Sequence, residues 1–458
     1  MITSAAWAGK RYAMLGLARS GAATVGALLA AGARVTAWDS DEAKRSTLTP
    51  SPLWGEGWGE GQSSSAVAGT APLPTLSPPG RGYLCVAPLD DLTGFDALVV
   101  SPGVPLNTHP IAARARAAGV PIIGDIELFA QARGQLPPHK VVGITGTNGK
   151  STTTALVHHI LQTAGVPTLM GGNIGLPILA QEPLPAGGVY VLELSSYQID
   201  LTASLDCDVA VLLNITPDHL DRYDGFDGYA ASKARLFAMQ SPGHEAVIGI
   251  GDAASAAIAR SLSARGEHLT KIAPGVCLFQ GKWPALQGPH NAQNALVAIA
   301  TCQALGVAEA DIDRGLETFG GLPHRMERVR EVAGVTYVDD SKATNPDSTA
   351  PALAAFDRVH WIVGGRAKGD DLDACVPHFG SVARAYTIGE AGPRFAAILA
   401  PVMPVEQCGT LEAAVGAAAA GARPGETVLL SPACASFDQF RDYEERGDAF
   451  RAAVEALS

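Results

Sequence analysis

Closely spaced cysteine pairs are missing from the sequence. Its seven cysteines are scattered over 458 residues, and no two are spaced as CxxC. This argues against a structural zinc site and suits a reducing compartment. No window of about 18 residues is both apolar and free of charge, and no apolar segment follows a basic start as in signal peptides. We therefore expect a cytoplasmic protein without a membrane span or a signal peptide.

Positive charge is also scarce. The chain has 33 Lys and Arg against 45 Asp and Glu, which gives a net charge of −12. Nucleic-acid-binding proteins usually carry a basic face, so this balance argues against that class. Anionic small ligands stay compatible, because a few local cations and N–H groups suffice to bind them. A hydrophobic content of 47% over 458 residues suits globular domains with ample cores; length alone favours about two to four.

The most informative stretch runs from Val141 to Leu161. It begins with a short β-branched run to Ile144, continues through a Gly-rich turn and reads as a helix from Lys150. This is the context of a phosphate-binding loop, in which N–H groups and a helix N-terminus face phosphate oxygens. Because Ile144 stands where GxxxxGK[ST] has Gly, an ordinary Gly-rich turn is the alternative. The candidate nucleotide-binding residues are Gly146, Thr147, Asn148, Gly149, Lys150, Ser151 and Thr152.

An α/β unit precedes this stretch. A strand over Tyr12 to Leu15 is predicted to run into the turn GLARSG and a helix, and a second strand ends on Asp39. A βαβ unit with an acid about 20 residues past the turn is typical of nucleotide sites, although a tight turn without a ligand fits equally well. Residues 48–82 are rich in Pro, Gly and Ser and lack periodicity, which predicts a flexible insertion.

Strand-like and helical segments alternate along the rest of the chain. This alternation predicts the α/β class with mainly parallel sheets. Boundaries are expected near Pro137-Pro138 and Gly320 to Pro323. The predicted domains are a Rossmann-like domain over 1–138, a P-loop ATPase domain over 139–322 and a second Rossmann-like α/β domain over 323–458.

Three polar residues of the central domain are candidates for chemistry. Glu193 ends a predicted buried strand, where nucleoside triphosphatases place an acid that holds Mg²⁺; a surface Glu at a strand end is the alternative. His219 follows another predicted strand and suits a metal ligand or a structural residue at a helix start. Lys233, within YAASKARLF, by itself predicts only a solvated helix lysine.

Together these segments resemble the Mur ligase family, the ATP-dependent amide-forming enzymes of peptidoglycan precursor assembly. GITGTNGKST is followed, in the family's order and spacing, by GGNIG (171–175), LELSSYQ (192–198), TPDHLDRY (216–223) and HNAQN (290–294). GLPHR (321–325), DDSKATN (339–345) and SPACASFDQFRDYEERG (431–447) resemble the member that adds D-glutamate to UDP-N-acetylmuramoyl-L-alanine. The resemblance covers the chain except for residues 48–82 and implies the three-domain Mur ligase architecture.

The resemblance implies a set of roles, each carried over by position. For the uridine nucleotide these are Arg19, Ser20, Asp39, Ser101, Pro102 and Gly103, with Asn173 and His219 on the muramoyl-alanine part. For ATP they are the loop residues together with Asn291, Asn294, Arg325 and Asp340, and for glutamate Lys342, Thr344, Lys368, Ser436 and Tyr443. For two Mg²⁺ ions they are Ser151, Glu193, His219 and Lys233, the lysine as a carbamate. The sequence departs from the family at Asp41, where some members carry a basic residue, and at GGRAKGD before Lys368.

The implied mechanism has two steps. The alanine carboxylate attacks the γ-phosphorus to give an acyl phosphate and ADP, with Lys150 and Mg²⁺ neutralising charge. The glutamate amine then attacks the acyl carbon, and His219 is the candidate base among the catalytic residues Lys150, His219 and Lys233. We expect a monomer that binds small molecules only, with no nucleic-acid or membrane partner.

Other functions are compatible with parts of the sequence. A P-loop ATPase would turn over ATP without any amino acid, and a nucleotide-sugar-binding scaffold would have lost its catalytic residues. A dinucleotide-dependent oxidoreductase is suggested only by GLARSG. Within the family, folate polyglutamate ligases and other muramoyl ligases are the alternatives.

Overall fold

The computed structural model describes residues 1–48, 82–276, 279–367, 369 and 371–457. The predicted insertion and Lys368 therefore lie outside the described residues, except for the ends of the insertion. Contacts within the chain group it into two compact units. The first comprises Met1–Lys150, Ala164–Ile272 and Ala300–Val307, and the second Ser151–Thr163, Ala273–Ile299 and Ala308–Ser458. The three predicted domain boundaries stay a prediction.

The first unit contains two sheets, of which the N-terminal one has five parallel strands in the order β3-β2-β1-β4-β5. The strands are β1 (Arg11–Leu15), β2 (Arg34–Trp38), β3 (Tyr83–Val86), β4 (Ala97–Val100) and β5 (Ile122–Ile123). The helices are α1 (Arg19–Ala30), α2 (Glu42–Ser46), α3 (Ile111–Ala117) and α4 (Asp125–Ala132). Leu15 pairs with both Trp38 and Val100, so the three strands end at one edge. The turns that follow them therefore lie side by side.

The second sheet of this unit has six parallel strands in the order β11-β10-β9-β6-β8-β7. Its strands are β6 (His139–Thr145), β7 (Thr168–Gly172), β8 (Gly188–Glu193), β9 (Val209–Leu212), β10 (Glu245–Gly249) and β11 (Leu269–Ile272). The helices α6 (Ser196–Asp200), α7 (Gly225–Ala238) and α8 (Ala253–Ser261) belong to the same unit, and α5 (Lys150–Thr163) starts in it. All six residues of β8 are buried, as the prediction of a buried parallel strand requires.

One continuous apolar core serves both sheets of the first unit. Phe129 of α4 packs edge-on against Tyr190 of β8, with ring centroids 5.1 Å apart. Beside it, the buried Glu127 carboxylate accepts hydrogen bonds from the N–H groups of Ala203 and Ser204. Because these contacts tie the N-terminal helices to the central sheet, the two sheets form one unit.

The second unit is built on a six-stranded sheet in the order β12-β13-β17-β14-β15-β16, in which only β12 is antiparallel. Its strands are β12 (Glu327–Val332), β13 (Val335–Asp339), β14 (Val359–Gly364), β15 (Val382–Ile388), β16 (Val405–Gly409) and β17 (Thr427–Leu430). The helices are α9 (Pro289–Ala304), α10 (Glu309–Thr318), α11 (Pro346–Leu353), α12 (Gly392–Leu399), α13 (Leu411–Gly421) and α14 (Tyr443–Glu455). Asn345 caps α11 by accepting from the Ser348 N–H, and Pro346 opens the helix.

The mainly parallel α/β architecture predicted from the sequence is confirmed in both units. Among the described residues, no helix combines the length and the apolar character needed to cross a bilayer.

Candidate active site

The residues predicted to bind a uridine nucleotide lie together. They line a cavity of about 830 Å³ in the first unit, at the carboxyl edge of β1, β2 and β4. The predicted residues on its wall are Arg19, Ser20, Asp39, Ser101, Pro102, Gly103 and Asn173. Ligands of parallel α/β sheets bind at this edge, between turns that diverge from neighbouring strands.

Two close contacts set the shape of this cavity. Gly16 has a φ of 90°, and a Cβ there would lie 2.9 Å from the Cβ of Ser101. The Ser101 hydroxyl donates a 2.8 Å hydrogen bond to the Gly16 carbonyl. A side chain at position 16 would therefore separate the two turns.

Asp39 supports the first turn. Its carboxylate accepts from the Leu17 N–H at 2.7 Å and from the Asp41 N–H at 2.9 Å. Burial opposes ionisation, but these two donors hold the pKa of Asp39 below its usual range. Asp39 thus fixes the backbone that borders the cavity. Its spacing from the turn in the sequence did not distinguish this role from direct contact with a ligand.

The phosphate-binding loop follows β6, as predicted. Gly146 and Gly149 have φ values of 153° and 84°, conformations that favour glycine. The Lys150 ammonium donates to the carbonyls of Gly146 and Thr147 at 2.9 and 2.7 Å. Asn214, just beyond β9, holds the loop from the other side with bonds to Thr147 and Asn148. No sequence pattern singled out Asn214.

Lys233 is buried, not solvated as the surrounding sequence by itself predicted. Its side chain leaves α7 with 1% of the residue exposed, and its ammonium donates 2.9 Å to the Gly146 carbonyl. The ammonium also lies 4.7 Å from the centre of the Tyr229 ring. Burial and then the nearby Lys150 charge lower the pKa of Lys233 well below that of a free lysine, against the opposing effect of Asp218 and Asp200. The side chain is thereby suited to carry a neutral amine.

Glu193 ends β8 in the interior and not at the surface. Only 2% of the residue is exposed, and its Oε1 accepts a 2.9 Å hydrogen bond from the Asn173 amide. Its Oε2 is buried and has no hydrogen-bond partner among the described residues. A buried carboxylate oxygen without a donor is costly unless a cation or a ligand group meets it.

His219 lies on the segment after β9 with a φ of 53°, an uncommon conformation for a residue with a Cβ. Its ring is half-buried, 5.1 Å from the Tyr197 ring, and its Nε2 is 3.4 Å from Asp218. Burial, with the charges of Lys150 and Lys233, lowers the pKa of His219, although Asp218 acts against this. The imidazole is therefore mostly neutral near pH 7, as a base or a metal ligand must be.

In the second unit, two predicted nucleotide contacts lie on the first turns of α9. Asn291 and Asn294 are buried, and the Asn294 amide donates to the Asn291 side-chain oxygen at 3.2 Å. His290, beside them, lines a cavity of about 500 Å³, and its Nδ1 is buried without a partner in the described part of the chain. Burial and the Arg325 charge lower the pKa of His290 to about 4.

Arg325 and Asp340, both predicted to contact ATP, are close enough to interact electrostatically. Burial raises the pKa of Asp340 to about 7, while a 2.8 Å bond from the Ser431 hydroxyl and the Arg325 charge oppose the rise. The Met326 N–H donates to the other carboxylate oxygen at 3.2 Å.

Four of the residues predicted to bind glutamate, Lys342, Thr344, Ser436 and Tyr443, lie past the carboxyl ends of β13 and β17 or at the start of α14, and the fifth, Lys368, is outside the described residues. The Lys342 ammonium donates to the Tyr443 hydroxyl at 2.8 Å. Ser436 is 2% exposed, and Thr344 lies two residues past Lys342 on the loop after β13. Sequence reasoning did not identify Arg446, a buried guanidinium behind these residues that donates to the carbonyls of Ser341 and Cys434.

Two family models match the chain. The Mur ligase middle domain matches residues 144–274, and the Mur ligase glutamate ligase domain matches residues 324–434. The region matched by the first model contains the phosphate-binding loop, Glu193, His219 and Lys233. The region matched by the second contains Lys342.

Curated relatives match over the full length. A UDP-N-acetylmuramoylalanine–D-glutamate ligase of Novosphingobium aromaticivorans is 60% identical, over 100% of this chain and 97% of the relative. The protein of the same name from Zymomonas mobilis is 54% identical, over 100% of this chain and 100% of the relative. That from Caulobacter vibrioides is 42% identical, over 98% of this chain and 96% of the relative.

Solved structures match in fold. The UDP-N-acetylmuramate–alanine ligase of Thermotoga maritima superposes with a TM-score of 0.56 at 16% identity, over 98% of this chain and 99% of that one. FolC of E. coli in complex with ADP gives 0.53 at 20% identity, over 78% and 98%. These matches show the fold, and the family models and the full-length relatives show that the chain belongs to the Mur ligase family.

Proposed function

We propose that the protein is a cytoplasmic, monomeric ligase that joins D-glutamate to UDP-N-acetylmuramoyl-L-alanine in peptidoglycan precursor synthesis, with conversion of ATP to ADP and phosphate. The observation that carries this proposal is the identity of 54 to 60% to ligases of that name over the whole chain. The chemistry of the candidate residues supports it, as the following steps describe.

The uridine nucleotide would occupy the cavity of about 830 Å³ in the first unit. Arg19 and the α1 N-terminus suit its negative charge, and Ser101, Pro102 and Gly103 line the same cavity. Asn173 lines the same cavity and donates to Glu193. The muramoyl-alanine end would therefore point from this cavity towards Glu193.

In the first step an oxygen of the alanine carboxylate attacks the γ-phosphorus. The new P–O bond forms as the bond to the β,γ-bridging oxygen breaks, and an acyl phosphate and ADP result. Lys150, on the loop, would neutralise charge that develops on the phosphoryl oxygens. Asn291, Asn294, Arg325 and Asp340 are proposed to bind the nucleotide.

The donor set near the loop fits Mg²⁺. Hard cations of this kind take oxygen ligands, and Glu193 offers a buried carboxylate oxygen without a hydrogen-bond partner among the described residues. Ser151, Glu193, His219 and carbamylated Lys233 are the proposed ligands of two ions. Bound Mg²⁺ supplies neutralisation of phosphate charge.

A carbamate on Lys233 fits its surroundings. The neutral Nζ adds to the carbon of CO₂ and loses one proton, so that an ammonium site becomes an anionic oxygen ligand. This requires an amine that is neutral near pH 7, and burial together with the Lys150 charge lowers the pKa of Lys233 in that direction.

In the second step the neutral amine of glutamate attacks the acyl carbon. The tetrahedral intermediate collapses to the amide and phosphate, and one proton leaves the nitrogen. His219, whose pKa is lowered, is the candidate acceptor of that proton, as an alternative to its role as a metal ligand. Lys342, Thr344, Lys368, Ser436 and Tyr443 are proposed to bind the glutamate, with cationic ammonium groups on its carboxylates.

ADP release tests the proposal. The purified protein is incubated with ATP, Mg²⁺ and UDP-N-acetylmuramoyl-L-alanine, and single amino acids are added, D- and L-glutamate included. We expect rapid ADP release with D-glutamate and the matching amide product by mass spectrometry. ADP release that ignores the amino acid would instead identify an ATPase, and a preference for another amino acid would identify a different ligase of the family.

A further inference from the structure

Asn214 forms a clamp between the phosphate-binding loop and the segment that carries His219. Strands β6 and β9 pair in parallel up to Thr145 and Leu212, and the Leu213 N–H still donates to the Thr145 carbonyl at 3.0 Å. Beyond that point the Thr147 N–H donates to the Asn214 carbonyl at 2.9 Å. Main-chain pairing thus continues past both strand ends into the loop.

The Asn214 side chain takes over where the main-chain pairing stops. Its Oδ1 accepts from the Asn148 N–H at 2.9 Å, and its Nδ2 donates to the Asn148 carbonyl at 3.1 Å. One side-chain amide therefore satisfies both main-chain polar groups of one loop residue, as a neighbouring strand would. An adjacent contact extends the clamp, because the Thr147 hydroxyl bonds to the N–H and the carbonyl of Thr216 at 3.0 and 3.1 Å.

The loop needs such support because its own backbone is permissive. Gly146 and Gly149 flank the clamped residues, and both have positive φ values. Because glycine has no Cβ, a free loop could adopt many other conformations at these two positions. Three residues beyond Thr216, the same segment reaches His219. The clamp therefore fixes the loop and the His219 segment in one register.

We propose that Asn214 is a positioning residue that preorganises the phosphate-binding loop for the triphosphate and keeps the His219 segment aligned with it. This rests on the proposed function only in assigning ATP to the loop. Asn214 acts through the backbone of Asn148, and its effect is a lower cost of ordering the loop when nucleotide binds.

Two substitutions separate this role from general structural support. Asn214→Ala removes both side-chain bonds to Asn148. Asn214→Asp keeps the shape and the acceptor for the Asn148 N–H, but it places a carboxylate oxygen against the Asn148 carbonyl and adds a negative charge near the phosphate site. Thr147→Val removes the second contact, together with a 3.2 Å hydrogen bond to the Tyr229 hydroxyl, and keeps both bonds of the Asn214 side chain.

The measurement is calorimetric binding of the non-hydrolysable analogue AMP-PNP with Mg²⁺, and separately of UDP, which lacks the muramoyl-alanine part assigned to His219. We expect Asn214→Ala to raise the Kd for AMP-PNP about tenfold, which corresponds to the loss of one or two hydrogen bonds. Asn214→Asp should raise it further, and Thr147→Val should give a smaller rise. The Kd for the uridine nucleotide should stay within about twofold and the thermal midpoint within about 3 °C.

Asn107→Ala is the matched control. The Asn107 amide donates to the Asp221 carbonyl at 2.8 Å and so holds the same segment without contacting the loop. We expect AMP-PNP binding in this variant to match that of the unaltered protein. An equal loss in Asn107→Ala, an unchanged Kd in both Asn214 variants, or parallel weakening of both ligands with a lowered thermal midpoint would each overturn the proposal. Since AMP-PNP binding needs no glutamate, absence of ligase activity with the binding changes intact would reject the proposed function only.

Discussion

Replacing Lys233 with Met should separate stability from activity. The Lys233 ammonium is buried, and its hydrogen-bond partners are neutral, the Gly146 carbonyl at 2.9 Å and the Thr145 hydroxyl at 3.5 Å. Burying a charge with neutral partners is costly. Met has a similar length and no charge, so Lys233→Met removes the desolvation cost and keeps most of the packing.

The substitution should leave no main-chain acceptor without a donor. The Gly146 carbonyl also accepts from Lys150 at 2.9 Å, and that bond remains in the variant. The lost attractions are two hydrogen bonds to neutral groups and the contact with the Tyr229 ring, together on the order of 1 to 3 kcal/mol. These roughly offset the several kcal/mol that burial of one ion costs. We therefore expect the free energy of unfolding to be unchanged or higher by about 1 to 2 kcal/mol.

Activity should move in the opposite direction. If Lys233 carries the carbamate, Lys233→Met loses an anionic ligand of the metal site, and we expect kcat to fall by about 10²-fold or more. Unfolding is followed by urea titration without Mg²⁺ in CO₂-depleted buffer, so that both proteins are compared without the modification. Turnover is followed by ADP release with D-glutamate. In Lys233→Ala, which leaves space, added acetate should restore part of the turnover.

The exposed Arg235 provides the control on the same helix. Arg235→Met loses one hydrogen bond, from the guanidinium to the Thr202 carbonyl at 2.9 Å, so it should lower stability by no more than about 1.5 kcal/mol and leave turnover near that of the unaltered protein. Turnover of Lys233→Met within about threefold of the original would refute a chemical role for Lys233. A loss of several kcal/mol in the stability of Lys233→Met would instead refute the expectation that the desolvation cost of the Lys233 ammonium offsets its hydrogen bonds to neutral groups.

Three further predictions concern other buried charges. Lys150→Ala should lower kcat about 10²-fold or more, measured by ADP release, with an unchanged circular dichroism spectrum, since the bonds to Asn214 still hold the loop. Burial raises the pKa of Asp125 to about 6, so the native state binds this proton more tightly than the unfolded chain does. The unfolding free energy of the unaltered protein relative to that of Asp125→Asn, from urea titrations, should therefore fall by on the order of 2 to 3 kcal/mol from pH 4 to 6. The lysine of Arg446→Lys cannot bridge the carbonyls of Ser341 and Cys434, so the KM for D-glutamate should rise about tenfold or more. Arg330 is an exposed arginine that bonds to carbonyls at the end of α14, and Arg330→Met should leave that KM unchanged.

Sequence patterns predicted the parts of the fold that local preferences determine. The β-branched run before Thr145 and the Gly-rich turn after it defined a strand and a loop, because each depends on neighbouring residues only. The charged strand β12, with the sequence ERVREV, was not predicted. Its residues are half-buried or exposed, and it is the antiparallel edge of its sheet, so the apolar signal of a buried strand is missing.

The chemistry of the candidate site was harder to predict because burial depends on distant segments. Lys233 lies in a sequence typical of a surface helix, and only the packing of α7 beneath the loop puts its ammonium in the interior. The same holds for Glu193. A glutamate at a strand end can be exposed or buried, and only the structure shows that this one is buried and bonded to Asn173. Resemblance to a family supplied these roles, and the physical reason for each became visible only in three dimensions.

One geometric feature links the two lysines of the site. Lys150 and Lys233 both donate to the Gly146 carbonyl, so two positive charges lie within hydrogen-bonding reach of a single neutral oxygen. Burial is the larger cause of the lowered pKa of Lys233, and repulsion from the Lys150 charge lowers it further. A carbamate on Lys233 would reverse the sign of this interaction, because an anion would then face the Lys150 ammonium. The repulsion that favours the neutral amine therefore becomes an attraction that stabilises the carbamate, and the same cation that the loop uses for phosphate would support the modification.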